Sequence, residues 1–424
     1  MKIFCVGIGG IGLSGVAQIL KSQGHTVFGS DANESGITEA LSKSGISVDK
    51  HSENNLDRSF DQLIYSEAVP EDNSERTRAR ELGIEQISYA HALGNLSQGK
   101  NVIAITGTHG KTTVTGMVAS ILLAAKKDPS IIVGSTLKLL QDKNFRIGNS
   151  DLFLVEACEY RDNFLYLSPW IMVINTLELD HLDYFKTAER YYASFQKLAE
   201  KIPTQGTLIL FANDEAKLNL EKIRAQKKIL SSGLEKKFNL SLQVPGAHNR
   251  HNAVMASAIA EVLGLSQEAI RKGLESYEGA ARRWEYKGEL RGAKLYDDYA
   301  HHPDKVRATI SATRERYPKE KIIAIFQPHQ YSRTRELFGQ FAKSFSDADE
   351  VWITDIYRAR DTEDDVKSVS AVQLASAIQN PQDSKYIPLK DIAEAIQSQA
   401  SSGKVFLVMG AGNINSIFEG LSLQ

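Results

Sequence analysis

Short apolar runs alternate with stretches of helical periodicity along almost the whole chain, and this pattern predicts three α/β domains in series. In the first domain, residues 1–99, the runs KIFCVGI, TVFGSD and LIYSEAVP predict strands, and residues 11–22 predict a helix whose apolar positions share one face. A strand–helix–strand alternation of this kind implies a parallel sheet.

The second domain, residues 100–280, opens on the apolar run Val102 to Ile105, which predicts a buried parallel strand. A glycine-rich loop and a helix follow, and the helix has apolar residues on one face at Val114, Met117, Val118, Ile121 and Leu122. Further strands are predicted at FLVEA, IMVIN and GTLILFA, and a second helix over residues 249–263.

The third domain, residues 281–424, repeats the alternation. Strands are predicted at KIIAIFQ, EVWITDI and KVFLVMGAG, and helices over residues 335–345 and 369–378 and at the C-terminus. A length of 424 residues is too great for one core, which agrees with several domains.

Composition narrows the class of protein. A net charge of −2 gives no global indication of binding to nucleic acid or to a membrane surface. The two cysteines, Cys5 and Cys158, permit neither a disulfide framework nor a CxxC zinc site, which favours a reducing cytoplasm. We expect no signal peptide at MKIFCVGIGG, and no apolar run approaches the ~18 residues of a membrane span.

The strand at Val102 leads directly into TGTHGKTT, and a helix follows at once. This order is typical of a phosphate-binding loop, in which backbone N–H groups and the helix N-terminus face the anion. Lys111 would reach the terminal phosphates, and a threonine hydroxyl would hold Mg²⁺. The match is not literal, because Ile105 stands where the general pattern has glycine, and an ordinary glycine-rich turn is the alternative.

A second glycine loop follows the first predicted strand. GIGGIG, from Gly7 to Gly12, matches G-x-G-x-x-G, and Asp31 ends the second strand at the distance expected for a ribose contact. Alone, the motif favours an NAD-dependent oxidoreductase. A UDP-sugar also carries a pyrophosphate, however, and a tight turn without a ligand remains possible.

Polar residues at other strand ends are candidates for the same chemistry. Glu156 follows FLVEA, where a carboxylate could ligate Mg²⁺ beside a phosphate loop. His181, in the cluster NTLELDHLD, could be a metal ligand, a general base or one of several helix-capping residues. Asn249 and Asn252 could contact an adenine edge, although helix capping is the simpler interpretation of the residues alone.

The third domain contains three charged blocks, RRW, DDYAHHP and QPHQYSRTR. Two of them follow predicted strands, and an arginine fork suits a γ-phosphate or a substrate carboxylate. Each block alone could be a solvated loop. The turn MGAGN after the last strand is interpreted as structural.

The motifs GIGGIGLSG, TGTHGKTT, EACEY, NTLELDHLDYF, PGAHNRHN, RRWE, DDYAHHP and FQPHQYSRT occur in this order. Together they make the chain resemble, from end to end, the Mur ligases of bacterial cell-wall synthesis. Within that family it is most similar to the branch that adds L-alanine to UDP-N-acetylmuramate. The resemblance implies a phosphate loop of the form TGTHGKTT, with Ile105 where the general pattern has glycine.

The resemblance implies three domains: a Rossmann-like UDP-binding domain, a central ATP-binding domain with a mixed sheet and helices, and a Rossmann-like domain that closes over ATP and the amino acid. It implies an ATP-dependent ligase in which the muramate carboxylate becomes an acyl phosphate and the amine of L-alanine then displaces phosphate. Mg²⁺, expected as two ions, serves this chemistry, and a hinge near residues 278–282 would permit closure.

The resemblance also implies residue roles. The catalytic set is Lys111, Glu156, His181 and Arg283. The ATP set is Gly107, Thr108, His109, Gly110, Lys111, Thr112, Thr113, Asn249, Asn252, Arg283 and Asp298. The UDP-substrate set is Gly7, Gly9, Gly10, Ile11, Gly12, Ser14, Asp31 and Ser66. The amino-acid set is His302, His329 and Arg333, and the metal ligands are Thr112, Glu156 and His181.

Two departures from relatives bear on specificity. Cys158 replaces an Asp found in many relatives, and Gln330 replaces an Arg found in some, which leaves Arg333 to bind the amino-acid carboxylate. The nearest alternative is a recycling ligase that attaches a tripeptide to the same nucleotide sugar, and GIGGIG favours the alanine ligase. An NAD-dependent oxidoreductase would leave the second loop unexplained, and a non-catalytic nucleotide-binding regulator would not need the catalytic set.

Overall fold

The computed structural model describes residues 1–231, 233–234, 239–359, 361–381 and 383–424. The chain divides into two compact units. The larger unit contains Met1–Ser241 and His251–Tyr277, and the smaller unit contains Leu242–Arg250 and Glu278–Gln424. Two sheets lie in the larger unit and one in the smaller, so the three predicted α/β regions each contain a sheet of their own.

The N-terminal sheet is wholly parallel, with the strand order β3-β2-β1-β4-β5. Its strands are β1 (Lys2–Val6), β2 (Thr26–Ser30), β3 (Ser47–Asp49), β4 (Gln62–Tyr65) and β5 (Glu85–Ser88). The helices are α1 (Ile11–Ser22), α2 (Gly36–Lys43), α3 (Ser74–Leu82) and α4 (Tyr89–Leu96), with a 3₁₀ turn at Glu53–Asn55. Strand β1 lies in the middle, so the loop after it opens where the strand order reverses.

The central sheet has the order β12-β11-β10-β6-β9-β7-β8 and is parallel except for the β7–β8 hairpin. Its strands are β6 (Asn101–Thr106), β7 (Ser130–Leu137), β8 (Lys143–Arg146), β9 (Leu152–Glu156), β10 (Ile171–Ile174), β11 (Thr207–Phe211) and β12 (Gln226–Leu230). Its helices are α5 (Lys111–Ala124), α6 (Leu182–Phe185), α7 (Ala188–Ala199), α8 (Ala212–Glu215), α9 (Ala247–Val262) and α10 (Gln267–Glu275), and 3₁₀ turns lie at Lys138–Leu140, Tyr160–Tyr166 and Leu220–Lys222.

Helix α5 packs at the centre of this domain, and here the sequence interpretation was wrong in one respect. The predicted helix had a single apolar face, but its polar positions Thr115 and Ser120 are buried as well. Gly116 admits the ring of Tyr277, and Gly273 of α10 lies against the backbone of Ile121. The helix is therefore enclosed by the sheet and by α10.

The smaller unit holds a sheet with the order β13-β14-β18-β15-β16-β17, parallel except for the β13–β14 hairpin. Its strands are β13 (Glu285–Leu290), β14 (Ala293–Asp298), β15 (Lys321–Phe326), β16 (Glu350–Ile353), β17 (Ser384–Tyr386) and β18 (Lys404–Met409). Its helices are α11 (Pro303–Arg316), α12 (Tyr331–Glu336), α13 (Phe338–Phe341), α14 (Glu363–Ser368), α15 (Ala371–Ala377) and α16 (Leu389–Gln399), with a 3₁₀ turn at Ile414–Gly420.

Two helices predicted in this domain were wrong in form. The helix expected over residues 335–345 begins earlier, at Tyr331, and breaks at Leu337, whose φ of −105° and ψ of 14° are not helical. Its early start follows from Asp361, which accepts hydrogen bonds from the Ser332 amide and hydroxyl. The expected C-terminal helix is a 3₁₀ turn that packs Ile414 and Ile417 under the sheet.

Across the part of the chain that the structure describes, no helix combines the length and the apolar composition needed to cross a bilayer.

Candidate active site

The phosphate loop lies at the carboxyl edge of the central sheet. Strand β6 runs between β9 and β10, so the loop after β6 adjoins Glu156 at the end of β9 and the residues that follow β10. In open α/β sheets ligands bind at this edge, beyond the carboxyl ends of the strands. The strand order therefore brings together three motifs that are far apart in sequence.

Two glycines give the loop its path. Gly107 and Gly110 have φ values of 118° and 76°, in the region that favours glycine. A side chain on Gly110 would place its Cβ 2.4 Å from both Asn175 Nδ2 and Asn252 Oδ1. The Thr108 amide donates to the Thr176 carbonyl at 2.8 Å, so the loop is fixed against the segment after β10.

Lys111 is the first residue of α5, and its ammonium group already faces the loop. The Nζ atom donates to the Gly107 carbonyl at 2.6 Å and to Glu159 Oε1 at 3.0 Å. Burial lowers the pKa of Lys111, but the Glu159 carboxylate outweighs it, so that the pKa is raised above its ordinary value. A fixed positive charge thus stands at the N-terminus of a helix whose N-cap, Gly110, has no side chain to cap it.

Thr112 and Glu156 form the predicted metal pair. Thr112 Oγ1 donates to Glu156 Oε1 at 2.9 Å, and the Gly134 amide donates to Glu156 Oε2 at 2.7 Å. Hydroxyl and carboxylate oxygens are the hard donors that Mg²⁺ prefers, and Mg²⁺ usually takes few protein ligands, with phosphate and water oxygens completing its shell. These two residues fit a Mg²⁺ bound together with a nucleotide phosphate.

His181 lies close to the carboxylate of Glu159, as Lys111 does. It has a left-handed φ of 54°, and its ring centroid is 4.8 Å from that of Tyr160. Its Nε2 atom is 3.7 Å from Glu159 Oε1. Glu159 is fully buried and contacts both Lys111 and His181, and the sequence analysis missed it. The signal was present in EACEY, whose second glutamate lies three residues after the end of β9.

The two predicted adenine contacts already have protein partners. Asn252 Oδ1 accepts from Asn175 Nδ2 at 2.8 Å, and the same Nδ2 donates to the His109 carbonyl at 3.0 Å. Asn249 Nδ2 donates to the Pro245 carbonyl at 2.7 Å, at the start of α9. Asn252 therefore supports the phosphate loop, and Asn249 ties the first turn of α9 to the segment before it. The adenine contacts predicted for both residues stay predictions.

Thr113, which was also assigned to ATP, lies in the first turn of α5 and is half-buried.

The N-terminal glycine loop is braced by its neighbours. Gly7 has a φ of 76°, and a Cβ at this position would lie 2.8 Å from Val69 and 2.9 Å from Ser66. The Gly9 amide donates to Asp31 Oδ2 at 2.8 Å. The structure thus brings the motif, Asp31 and Ser66 together, and Asp31, just after β2, holds the loop through its carboxylate.

The rest of the GIGGIG motif opens α1. Gly10 is its N-cap residue and, like Gly110, leaves the first amide groups without a side-chain cap. Gly12 packs against Tyr89, because a Cβ at Gly12 would lie 2.7 Å from the tyrosine ring. Ser14 is buried, and its hydroxyl donates to the Ile11 carbonyl at 2.9 Å. Gly12 and Ser14 therefore face protein, while the amide groups at the start of the helix remain suited to an anion.

In the smaller unit, one cluster joins residues from several strand ends. The Arg283 guanidinium lies 5.2 Å from the Tyr299 ring centroid, which is 5.2 Å from that of His301. The ring centroids of His301 and His329 are 6.3 Å apart, and Arg333 Nη1 is 3.4 Å from His329 Nδ1. Arg283, His329 and Arg333 were predicted, whereas Tyr299 and His301 were not.

The histidines of this cluster are kept neutral. Burial lowers the pKa of His301 to about 3, and burial together with Arg333 lowers the pKa of His329. The predicted His302 is instead the N-cap residue of α11, with Nδ1 3.9 Å from Asp304 Oδ2. His301 therefore belongs to the cluster, and the amino-acid contact predicted for His302 stays a prediction.

The adjacent aspartates of DDYAHHP have different surroundings. Asp298 accepts from the backbone amides of Trp284 and Ala300, each at 2.8 Å, so it ties the start of this domain to the end of β14. Asp297 is buried, with Oδ2 3.6 Å from Arg282 Nε, and burial raises its pKa to about 7 although Arg282 opposes the shift. The ribose contact predicted for Asp298 stays a prediction.

Asp297→Asn is expected to change how stability depends on pH. Because the folded-state pKa of about 7 exceeds the ordinary value of 3.8, ionisation of Asp297 destabilises the fold. In the unmodified protein, the protonated Asp297 carboxyl makes its full contribution to stability below pH 3.8. That contribution is lost as the pH rises to about 7. Thermal unfolding of both proteins from pH 4 to pH 8 should show the variant gaining relative stability up to pH 7; a constant difference would contradict this.

Three family models match successive parts of the chain. They are the Mur ligase family catalytic domain at residues 2–101, the Mur ligase middle domain at residues 105–240 and the Mur ligase glutamate ligase domain at residues 282–412. The chain belongs to the Mur ligase family. Each model corresponds to one of the three sheets, which confirms the predicted three-domain α/β architecture.

This Mur ligase is similar along its whole length to known enzymes. The UDP-N-acetylmuramate–L-alanine ligases of Clostridium novyi and Acetivibrio thermocellus are 38% and 39% identical to it, over 99% and 98% of this chain and 96% and 94% of theirs. The crystal structure of UDP-N-acetylmuramate-alanine ligase from Thermotoga maritima superposes with a TM-score of 0.84 at 30% identity, covering 99% of this chain and 98% of that one.

Membership of the Mur ligases decides between the classes of protein that the glycine motifs left open. The prediction of a ligase is confirmed, and the NAD-dependent oxidoreductase and the non-catalytic regulator are wrong. The roles of single residues at the site stay predictions.

Proposed function

We propose that this Mur ligase joins L-alanine to UDP-N-acetylmuramate at the expense of ATP, as a step of peptidoglycan precursor synthesis. The observation that carries the proposal is the similarity, over nearly the whole chain, to enzymes named for that reaction. The predicted domain limits, 1–99, 100–280 and 281–424, assign the nucleotide sugar, ATP and the amino acid to successive domains. We propose a cytoplasmic location, which the free thiols of Cys5 and Cys158 support.

The reaction needs no side-chain nucleophile. The muramate carboxylate attacks the γ-phosphorus of ATP, which breaks the bond to ADP and forms an acyl phosphate. The amine of L-alanine then attacks the acyl carbon, and phosphate leaves. Both steps depend on positioning and on stabilising negative charge at the transferred phosphoryl group. Lys111, with its charge fixed at the phosphate loop by Glu159, supports such a role.

The side chains of Thr112, Glu156 and His181 would hold two Mg²⁺ ions. Thr112 and Glu156 would share the first ion with ATP oxygens, and His181 would contribute to the second. When bound, Mg²⁺ neutralises phosphate charge and orients the phosphoryl group. The Glu159 carboxylate, 3.7 Å from His181 Nε2 and 3.0 Å from Lys111 Nζ, connects the imidazole with the ammonium group at the phosphate loop.

The amino acid is proposed to bind at the cluster in the smaller unit. Arg333 supplies a guanidinium group for the α-carboxylate, and Arg283 supplies a second one for the γ-phosphate. Because His301 and His329 are held neutral by burial, they add hydrogen-bonding groups without adding charge. A neutral histidine can also accept a proton from the attacking amine.

A panel of amino acids tests the proposed function. With ATP, Mg²⁺ and UDP-N-acetylmuramate present, phosphate release is expected with L-alanine and should be weaker with L-serine or glycine. The tripeptide L-alanyl-γ-D-glutamyl-meso-diaminopimelate is the critical comparison. Release with the tripeptide and none with L-alanine would replace the proposal by the recycling ligase, and no release with any acceptor would reject both.

Arg333→Ala is expected to raise the KM for L-alanine about tenfold and to leave the KM for ATP within about twofold, because the loss of one charged hydrogen-bond donor costs ~1.5 kcal/mol of carboxylate binding. Steady-state kinetics with each substrate varied in turn checks this. Arg335→Ala is the matched control, since Arg335 pairs with Asp365. A larger change in the KM for ATP would move Arg333 to the nucleotide site.

A further inference from the structure

The β7–β8 hairpin of the central domain reaches the N-terminal domain at its glycine loop. Asn144, in β8, is buried, and its Nδ2 donates to the Ile11 carbonyl at 2.5 Å. Ile11 is the first residue of α1, so the contact lies directly beside the amide groups that begin the helix. This hydrogen bond fastens the N-terminal loop to the central sheet.

Gly15 makes room for that contact. A Cβ at Gly15 would lie 2.9 Å from Asn144 Nδ2 and 3.4 Å from Phe145 Cβ. Gly15 has helical φ and lies outside the G-x-G-x-x-G motif, so neither a turn nor a pyrophosphate requires a glycine there. The close approach of the hairpin is the physical reason for a glycine at this position.

The same hairpin also contacts the predicted metal carboxylate. Gly134, in β7, donates its amide to Glu156 Oε2 at 2.7 Å, and a Cβ at Gly134 would lie 2.9 Å from both carboxylate oxygens. Strand β7 pairs with β9, which ends at Glu156, and with β8, which carries Asn144. One two-stranded element therefore touches the loop of the first domain and the carboxylate beside the phosphate loop of the second.

We propose that Asn144 is a positioning residue, which sets the N-terminal glycine loop at the separation from the phosphate loop that the attack on ATP requires. The inference rests on the proposed function, in which the nucleotide sugar binds one loop and ATP the other. Reacting atoms must approach to about 3–3.5 Å in line, and small displacements from that geometry are costly. The buried hydrogen bond from Asn144 to the Ile11 carbonyl fixes this separation through the protein itself.

Asn144→Ala is expected to lower kcat about tenfold, while the KM for ATP stays within about twofold and the melting temperature within a few degrees. The control is Asn149→Ala, because Asn149 is an exposed asparagine that contacts Asp128 after the same hairpin. Its kcat is expected to equal that of the unmodified enzyme. An unchanged kcat in Asn144→Ala, or a rise in the KM for UDP-N-acetylmuramate alone, would overturn the proposal.

Gly15→Ala provides a second and independent variant. The added methyl group should displace the Asn144 amide and reproduce the fall in kcat, and it should have no further effect when Asn144 is already alanine. Effects that multiply in the double variant would show that Gly15 and Asn144 act separately and would overturn the inference. Turnover of the unmodified enzyme with L-alanine is measured first, so that failure of the proposed function is recognised separately.

Discussion

Lys111→Ala is expected to reduce turnover with L-alanine by at least about 10³-fold, because it removes the positive charge nearest the transferred phosphoryl group. The ammonium group is held by the Gly107 carbonyl and by Glu159, so it is in place before any substrate binds. A charge that needs no reorganisation during the reaction contributes more than a mobile one. The change should fall mainly on kcat.

The variant also leaves the buried Glu159 without its cation, which costs roughly 3 kcal/mol of stability. Activity is therefore measured at a temperature where unfolding, followed by circular dichroism, shows the variant to be folded. Lys100→Ala is the control, since Lys100 precedes the same strand and contacts Asp151 and the Ser150 carbonyl, away from the phosphate loop. Turnover of Lys111→Ala within tenfold of the unmodified enzyme would mean that the loop does not act on phosphate.

The sequence predicted the parts of the site that follow from local order and from the geometry of parallel sheets. Strand, glycine loop and helix identified TGTHGKTT, and the rule that ligands bind at carboxyl strand ends placed Glu156 and the segment around His181 on the same edge. The structure joins these residues because β6 lies between β9 and β10. Neither the strand order nor the contacts that depend on it could be deduced from periodicity.

The residues that were missed act through partners distant in sequence. Glu159 contacts Lys111 and His181, and Asn144 contacts Ile11, so their roles depend on which loops face one another. The same limit applies to glycines. Gly12 ends the GIGGIG motif and Gly15 follows it, yet the first packs on Tyr89 and the second on Asn144. A glycine in the sequence can indicate that another group packs closely against the backbone, but the sequence does not identify that group.

Helix prediction in the C-terminal domain was wrong for a related reason. Apolar residues at Phe338, Phe341 and Phe345 have helical spacing, and the last two are buried. The chain nevertheless breaks at Leu337, because α12 is anchored earlier by Asp361, which lies after β16. A tertiary contact thus sets the start of the helix, and the apolar pattern sets only which side is buried.

Glu159→Gln is expected to lower turnover about 10²-fold, although Glu159 need not touch any substrate. The neutral amide keeps the size of the side chain but removes the charge that holds Lys111 Nζ at 3.0 Å and faces His181 Nε2 at 3.7 Å. Both groups then lose their common partner, and displacement of catalytic groups by about 1 Å reduces rates by this order.

Stability should change with activity, and the sign follows from Lys111. Its pKa is raised in the folded protein, so the positive charge of Lys111 stabilises the fold fully at neutral pH, below the ordinary lysine pKa of 10.5, and this effect is lost as the pH rises through the folded-state value. Loss of the charged hydrogen bond should therefore lower the free energy of unfolding by about 2 kcal/mol at pH 7.5. Urea titration measures this.

Glu178→Gln is the matched control for both measurements. Glu178 lies close to the same phosphate loop, with Oε2 3.3 Å from His109 Nε2, but its side chain is 65% exposed. Exposed pairs contribute little to stability, so its unfolding free energy should change by less than ~0.5 kcal/mol and its turnover by less than about twofold. If Glu159→Gln behaved like this control, Lys111 and His181 would be positioned by their own elements, and the buried carboxylate would have no part in organising the site.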